Sequence, residues 1–121
     1  MQVRRRQLLE LRGYVHPPPV VRNVLECACC LLGGTPEWEA ARLELYDTSH
    51  LMERLVGYGG PGVPLPSRSA FEVATWYTED PLFTPEAVEK LAPAACWLCM
   101  WCRAVVAANG EAMQRTARWL A

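Results

Sequence analysis

The fold is decided by residues 16–33, which read HPPPVVRNVLECACCLLG. The three prolines Pro17–Pro19 lack backbone N–H groups and push each preceding residue out of the α region, so we expect a helix before them to end there. Apolar residues then recur at intervals of three and four until Gly33 and Gly34, which predicts a second helix closed by glycine. The recurring positions are Val21, Val24, Leu25, Ala28, Leu31 and Leu32.

The rest of the chain also predicts helices, since no stretch alternates apolar and polar residues long enough for a strand. The tripeptide Thr-Pro-Glu occurs at 35–37 and again at 84–86, each time as a capping Thr, a Pro at the first helical position and an acid in the first turn. Ser67 and a polar residue among 47–49 can cap two more helices, and the last helix begins near Pro93. The prediction is an all-α fold.

The two ends of the chain have apolar stripes too narrow for helices that are stable alone. We expect residues 1–16 and 105–121 to pair as an antiparallel coiled coil that carries a small bundle of about six helices, residues 17–104. The chain would then resemble the tip of a hairpin from a longer protein. The expected contacts join Val3, Leu8, Leu11 and Val15 to Val105, Ala112, Met113 and Leu120.

Composition argues for one folded domain without a strongly charged partner. The 121 residues are 51% hydrophobic and 21% charged, which excludes disorder, and the net charge of −1 implies no bulk attraction to nucleic acid or membrane. The apolar run at 91–108 contains Pro93 and Arg103 and is too short to span a bilayer. The first residues have no apolar core of a signal peptide, so the six cysteines predict free thiols in a reducing compartment.

The cysteines are the strongest candidates for a metal site. Cys96, Cys99 and Cys102 have the spacing that opens an iron–sulfur motif, but the expected fourth ligand position holds Val106. Zinc sites place paired cysteines on turns, whereas these lie within a predicted helix. We therefore expect packing thiols, no metal and no cofactor, with a metal or redox role as the alternative.

Catalytic patterns do not emerge from the remaining polar residues. For His16 and His50, the spacing implies no Ser or Cys partner that would form a catalytic pair. The glycine-rich loop 57–62 lacks the Lys-Ser/Thr ending of a phosphate-binding loop. The basic run Arg4–Arg6 is typical of a solvated helix face, with a nucleic-acid or nuclear-import patch as the alternative. The sequence predicts no enzyme.

Two stretches resemble dynein heavy chains. Residues 16–33 are similar to that family's Pro-Pro-x-x-Val-Lys…Leu-Leu-Gly segment, and residues 83–90 with 98–104 are similar to its Phe-x-Pro-Glu-x-Val…Leu-Cys-x-Trp-Val-Arg-Ala segment. Glu37-Trp38 lies between them, as in the family. The resemblance covers about residues 12–108, and its Leu-Cys-Met-Trp form is more like the ciliary dyneins than the cytoplasmic one.

This resemblance implies the microtubule-binding domain at the tip of the dynein stalk, with α/β-tubulin as partner and coiled-coil register controlling affinity. The ATPase of such a motor lies outside this chain. The implied location is the cytoskeleton of a cilium or flagellum axoneme, with the cytoplasm as the alternative.

The resemblance also implies tubulin contacts at Arg22, Arg54 and Arg103. The sequence departs from the family at 68–77, where relatives carry several bases and this chain has one, and at Met100, which replaces a Lys of the cytoplasmic form. Because tubulin's surface is acidic, we expect weaker and less salt-dependent attachment.

A second function remains open, a docking platform for a leucine-rich-repeat light chain. The poorly charged helix 68–77 and the turn after it contain aromatic residues that we expect to form an exposed patch, as protein interfaces often do. The residues of this predicted docking patch are Phe71, Trp76, Tyr77 and Phe83, with Leu82 nearby.

Overall fold

The computed structural model describes residues 5–58 and 66–120, with side chains described as far as Gly110. These ranges contain seven α-helices, one short 3-10 helix and no strand, which confirms the predicted all-α fold. None of the helices in these ranges is long and apolar enough to cross a membrane. The helices are α1 Arg5–Arg12, α2 Pro19–Leu31, α3 Trp38–Glu44, α4 Thr48–Gly57, α5 Arg68–Thr78, α6 Pro85–Leu91, the 3-10 helix η1 Pro93–Ala95, and α7 Cys96–Leu120.

Helix α2 forms the centre of the bundle, because α3, α5 and α7 all pack against it. Ten of its 13 residues are buried, including every position from Val24 to Leu31. Its C-terminal end turns at Gly33, whose φ of 94° lies in the left-handed region that favours glycine, as the sequence predicts.

The prolines begin α2 rather than end α1. Helix α1 stops at Arg12, and the Gly13 and Tyr14 amides donate to the Glu10 and Leu11 carbonyls at 3.0 and 3.2 Å, which closes its last turn. Pro19 occupies the first turn of α2, where the N–H it lacks would have no helical partner. The prediction that the first helix ends at the prolines is therefore wrong, because α1 already ends at Arg12.

The two Thr-Pro-Glu tripeptides fold differently. The Thr84 hydroxyl accepts a hydrogen bond from the Ala87 amide at 3.2 Å and caps α6, as predicted. At the first copy, the Glu37 amide donates to the Thr35 carbonyl at 2.8 Å and α3 begins only at Trp38, without a side-chain cap. This tighter turn accompanies the burial of Trp38 in the core, and burying so large a side chain outweighs one capping bond.

The first terminal segment packs against the bundle of residues 17–104, which we call the head. Helix α1 packs on α4 and η1, and its Leu8 and Leu11 are fully buried, as expected of its apolar stripe. Val15 is 64% exposed, so its predicted packing is wrong. Val3 and the side chains of 111–121 lie outside the described residues, and the paired coiled coil and the domain limits at 16/17 and 104/105 stay predictions.

The two threonines provide a matched test of helix capping. Thr84→Ala should lower the free energy of unfolding by about 1 kcal/mol, because the N-terminus of α6 loses its cap. Thr35→Ala should change it by less than about 0.5 kcal/mol, because Thr35 is exposed and caps nothing. Urea denaturation of both variants measures the difference, and equal losses would show that Thr84 does not act as a cap.

Candidate functional site

Arg22 is exposed in the first turns of α2. Its neighbours Val21 and Val24 are buried at 1% and 0% exposure, so the helix turns the Arg22 side chain away from the core. No hydrogen bond or ion pair occupies its guanidinium within residues 5–58 and 66–110. A free cation on a rigid helix is suited to an acidic partner.

Arg103 lies on α7 close to the same end of the bundle. Its Nη1 donates to the Phe83 carbonyl at 3.0 Å, which fixes the exposed side chain against the turn between α5 and α6. The adjacent Cys102 Sγ lies 3.8 Å from the Val24 carbonyl, so this part of α7 runs beside the first half of α2. The fold therefore brings the helix segments that carry Arg22 and Arg103 together.

Arg54 is at the opposite end of α2 and is engaged within the chain. Its Nη1 contacts Glu44 Oε2 at 3.0 Å, and its Nη2 donates to the Leu32 carbonyl at 2.8 Å. Leu32 follows Arg22 by ten residues, which is roughly 15 Å along a helix. With 28% of its side chain exposed, Arg54 ties α4 to α2 and α3, and its predicted tubulin contact stays a prediction.

The described surface of the head is more acidic than basic. Between residues 17 and 104, four basic side chains are exposed against nine acidic ones, and Arg68 lies 3.3 Å from Glu72 in an ion pair along α5. Cations available to an acidic partner are consequently few. The exposed bases are Arg22, Arg68, Lys90 and Arg103, and the exposed acids are Glu37, Glu39, Asp47, Glu53, Glu72, Glu79, Asp80, Glu86 and Glu89.

The predicted docking patch is divided between core and surface. Tyr77 and Phe83 are only 8% and 1% exposed, so the expectation that they form an exposed patch is wrong. They turn inward because Tyr77 lies on the face of α5 that meets α2, and Phe83 packs in the central core. Phe71 is half-buried, whereas Trp76 is 70% exposed and Leu82 56% exposed.

Glu26 is a buried carboxylate that the sequence patterns did not indicate. The Tyr77 hydroxyl donates to Glu26 Oε1 at 3.0 Å, and both side chains are buried between α5 and α2. Burial and then the hydrogen bond and charge of Glu26 raise the pKa of Tyr77. The available signal was an acid within the otherwise apolar second half of α2, which calls for a polar partner.

The cysteines pack the interfaces around α2. Five are buried and Cys96 is half-buried, and the Cys27 thiol lies 3.8 Å from the Ala74 carbonyl of α5. Burial raises the pKa of Cys29 and of Cys99 to about 12, so these two are thiols rather than thiolates at neutral pH. In the described part of the chain, no group of three or more His, Cys, Asp or Glu side chains is placed to hold a metal ion.

The buried thiols predict a loss of stability at high pH. Below pH 9 both folded and unfolded chains keep the thiol protons, whereas above it the unfolded chain loses them first and is favoured. The free energy of unfolding should therefore fall by roughly 1 kcal/mol for Cys29 and again for Cys99 with each pH unit above 9. Urea denaturation in reductant between pH 7.5 and 10 measures this slope.

Replacing the two thiols provides the control. The variant with Cys29→Ala and Cys99→Ala should be less stable at pH 7.5 but should lose less stability than the parent chain as the pH rises. Identical slopes in both proteins would show that these thiols do not cause the loss.

The sequence relatives are axonemal dynein heavy chains. Human dynein axonemal heavy chain 6 is 32% identical over 96 residues, which cover 79% of this chain and 2% of the relative. Human dynein axonemal heavy chain 14 is 32% identical over 100 residues, 83% of this chain and 3% of the relative. Human dynein axonemal heavy chain 17 is 29% identical over 105 residues, 82% of this chain and 2% of the relative.

No family model matches the chain, and no solved structure matches it. The chain spans only about a fortieth of the length of the curated relatives, but several of them align with about four-fifths of it. The resemblance of residues 16–33, and of residues 83–90 with 98–104, to dynein heavy chains agrees with these alignments. The chain belongs to the dynein heavy chain family and corresponds to one short segment of its axonemal members.

Proposed function

We propose that this chain is a microtubule-binding head of the dynein stalk. The observation that carries the proposal is the exposed guanidinium of Arg22 at the start of the central helix, which has no partner among the described residues, with Arg103 on the neighbouring stretch of α7. Both helices belong to the segments that resemble dynein heavy chains. Their bases are available to the acidic surface of α/β-tubulin, whereas Arg54 stabilises the head.

The balance of surface charge supports weak attachment. The described head exposes nine acids and only four bases, and Met100, one turn before Arg103, is exposed where the cytoplasmic form has Lys. Each exposed ion pair contributes about 0.2–1 kcal/mol, and salt screens it further. Microtubule affinity through Arg22 and Arg103 alone would therefore be modest. Charges elsewhere on the head would change this affinity little.

The seating of α1 supports control of affinity by coiled-coil register. Leu8 and Leu11 are buried where α1 packs on α4 and η1, and the Arg12 guanidinium lies 5.8 Å from the centre of the Tyr46 ring. A shift of α1 by one helical turn, about 5.4 Å, would replace these contacts with another set. Two alternative packings of this kind form a two-state element, and residues 13–18 would pass the displacement to α2 and Arg22.

The chain itself has a binding function in this proposal. The ATPase of the motor lies outside the chain, and the described residues supply attachment to tubulin. The axonemal relatives support a cytoskeletal location in the axoneme of a cilium or flagellum.

Charge reversal at Arg22 tests the proposal. Arg22→Glu should weaken microtubule binding several-fold at low salt, because it removes a positive charge from the proposed contact and places a negative charge opposite the acidic surface of tubulin. Co-sedimentation with microtubules measures the affinity, and circular dichroism confirms that the variant folds. Arg5→Glu, an identical charge change on the exposed face of α1, should leave the affinity within about twofold.

Two results would contradict the proposal. Failure of the parent chain to co-sediment at any salt concentration would remove microtubule binding altogether. Equal affinities of Arg22→Glu and the parent chain would remove Arg22 from the contact.

Locking the two ends of the chain, residues 1–16 and 105–121, against each other tests register control separately. Disulfides between introduced cysteines on α1 and the last turns of α7, in a chain whose native cysteines are replaced, should give different microtubule affinities in different registers. Adding reductant should bring these affinities back to one value, which serves as the control. Equal affinity in every locked register would show that the head is a passive anchor.

A second candidate function is docking of a leucine-rich-repeat light chain. The specific observation in its favour is the exposure of Trp76 and Leu82 at 70% and 56%, since large apolar side chains on the surface mark protein interfaces. Tyr77 and Phe83 support this surface from within the core. Co-purification of the chain with such a light chain, lost on Trp76→Ala and retained on Val56→Ala, tests this function.

A further inference from the structure

The charges at the C-terminal end of α5 are unfavourable for its helix dipole. Helix C-termini carry partial negative charge and favour Lys or Arg in the last turn, but the last turn of α5 contains no basic residue. The two residues that follow, Glu79 and Asp80, are instead acidic and exposed. Neither carboxylate has an ion-pair partner in the part of the chain that the structure describes.

An exposed indole stands beside these carboxylates. Trp76 is 70% exposed, and its ring meets Tyr77 edge-on, with centroids 5.3 Å apart and planes at 74°. Tyr77 is itself held by its hydrogen bond to the buried Glu26. The base beneath the indole is therefore rigid, while most of the indole surface is open.

The indole and the carboxylates enclose one shallow pocket of about 280 Å³. Pro81 and Asn23 complete its wall. Asp80 Oδ1 accepts a hydrogen bond from the Leu82 amide at 2.8 Å, which orients the carboxylate and leaves Oδ2 for a ligand. Arg22 precedes Asn23 in sequence, but its guanidinium is not within 4.0 Å of either carboxylate.

We propose that this pocket receives an arginine side chain of a partner protein. A guanidinium stacks on an indole and donates to carboxylates in a planar fork, which the compact ammonium of lysine does not do. Bound there, it would complete the C-terminus of α5 with the positive charge that the helix lacks. Leu82, 56% exposed beside the pocket, would contact an apolar residue next to the arginine.

The sign of the charge separates this pocket from the tubulin contact. Glu79 and Asp80 would repel an acidic partner, whereas Arg22 and Arg103 would attract it. The inference rests on the docking function proposed above and adds the chemistry of the partner, a basic surface with an arginine near an apolar residue. It does not require that the head bind microtubules.

Nuclear magnetic resonance of the full ¹⁵N-labelled chain tests the pocket with two peptides. The probes are N-acetyl-Gly-Arg-Leu-Gly-amide and its counterpart with Lys in place of Arg. The indole N–H signal of Trp76, assigned with Trp76→Phe, should shift on titration with the arginine peptide. The lysine peptide should bind at least about threefold more weakly.

Variants show which groups hold the arginine. Glu79→Gln combined with Asp80→Asn should weaken the arginine peptide about fivefold or more, and Asp80→Asn keeps an oxygen for the Leu82 amide. The matched control Glu86→Gln with Glu89→Gln removes two exposed charges from α6 and should leave the affinity unchanged.

Equal binding of the two peptides, or no shift of the Trp76 signal at millimolar peptide, would overturn the inference. An equal loss in the α6 control would show general charge attraction and would overturn it as well. Light-chain co-purification and microtubule co-sedimentation of the parent chain, run in parallel, separate the proposals. A failed peptide titration with intact co-purification contradicts only the pocket, and a bound peptide without co-purification contradicts only the docking function. Loss of co-sedimentation alone contradicts only the microtubule proposal.

Discussion

The structure depends on the burial of α2. Three helices pack against it, and from Val24 to Leu31 every residue is buried. Each fully buried Val or Leu contributes about 1.5–3 kcal/mol relative to an exposed one, so the chain gains most by surrounding this helix. Cysteine and alanine at 27–30 are small enough for α5 and α7 to approach closely, which makes the thiols packing residues.

The same constraint determines which polar groups α2 can carry. Glu26 is tolerated in the buried part because the Tyr77 hydroxyl donates to it across the interface with α5. Arg22 is tolerated because it precedes the fully buried part and points outward. Glu26 therefore joins α2 to α5 within the core, whereas Arg22 is presented to a partner.

Charge divides the surface of the head into two proposed contacts of opposite sign. Arg22 and Arg103 lie where α2 and α7 run side by side, and they favour an acidic partner. Trp76, Glu79 and Asp80 lie at the end of α5 and favour a basic one. Because both surfaces are attached to the same buried helix, through α2 itself and through Tyr77, a displacement of α2 would affect both.

The sequence by itself determined the all-α fold, the presence of the helix α2, the outward direction of Arg22 and the cap at Thr84, because these follow from local periodicity and capping. Only the tertiary structure decided that Thr35 caps nothing, that Tyr77 and Phe83 are buried, and that Arg54 is engaged by Glu44 and Leu32. Each of these depends on a neighbour distant in the chain, as with Tyr77 and Glu26, which are 51 positions apart. A local pattern specifies which residues share a face of one helix, but only packing specifies what that face meets.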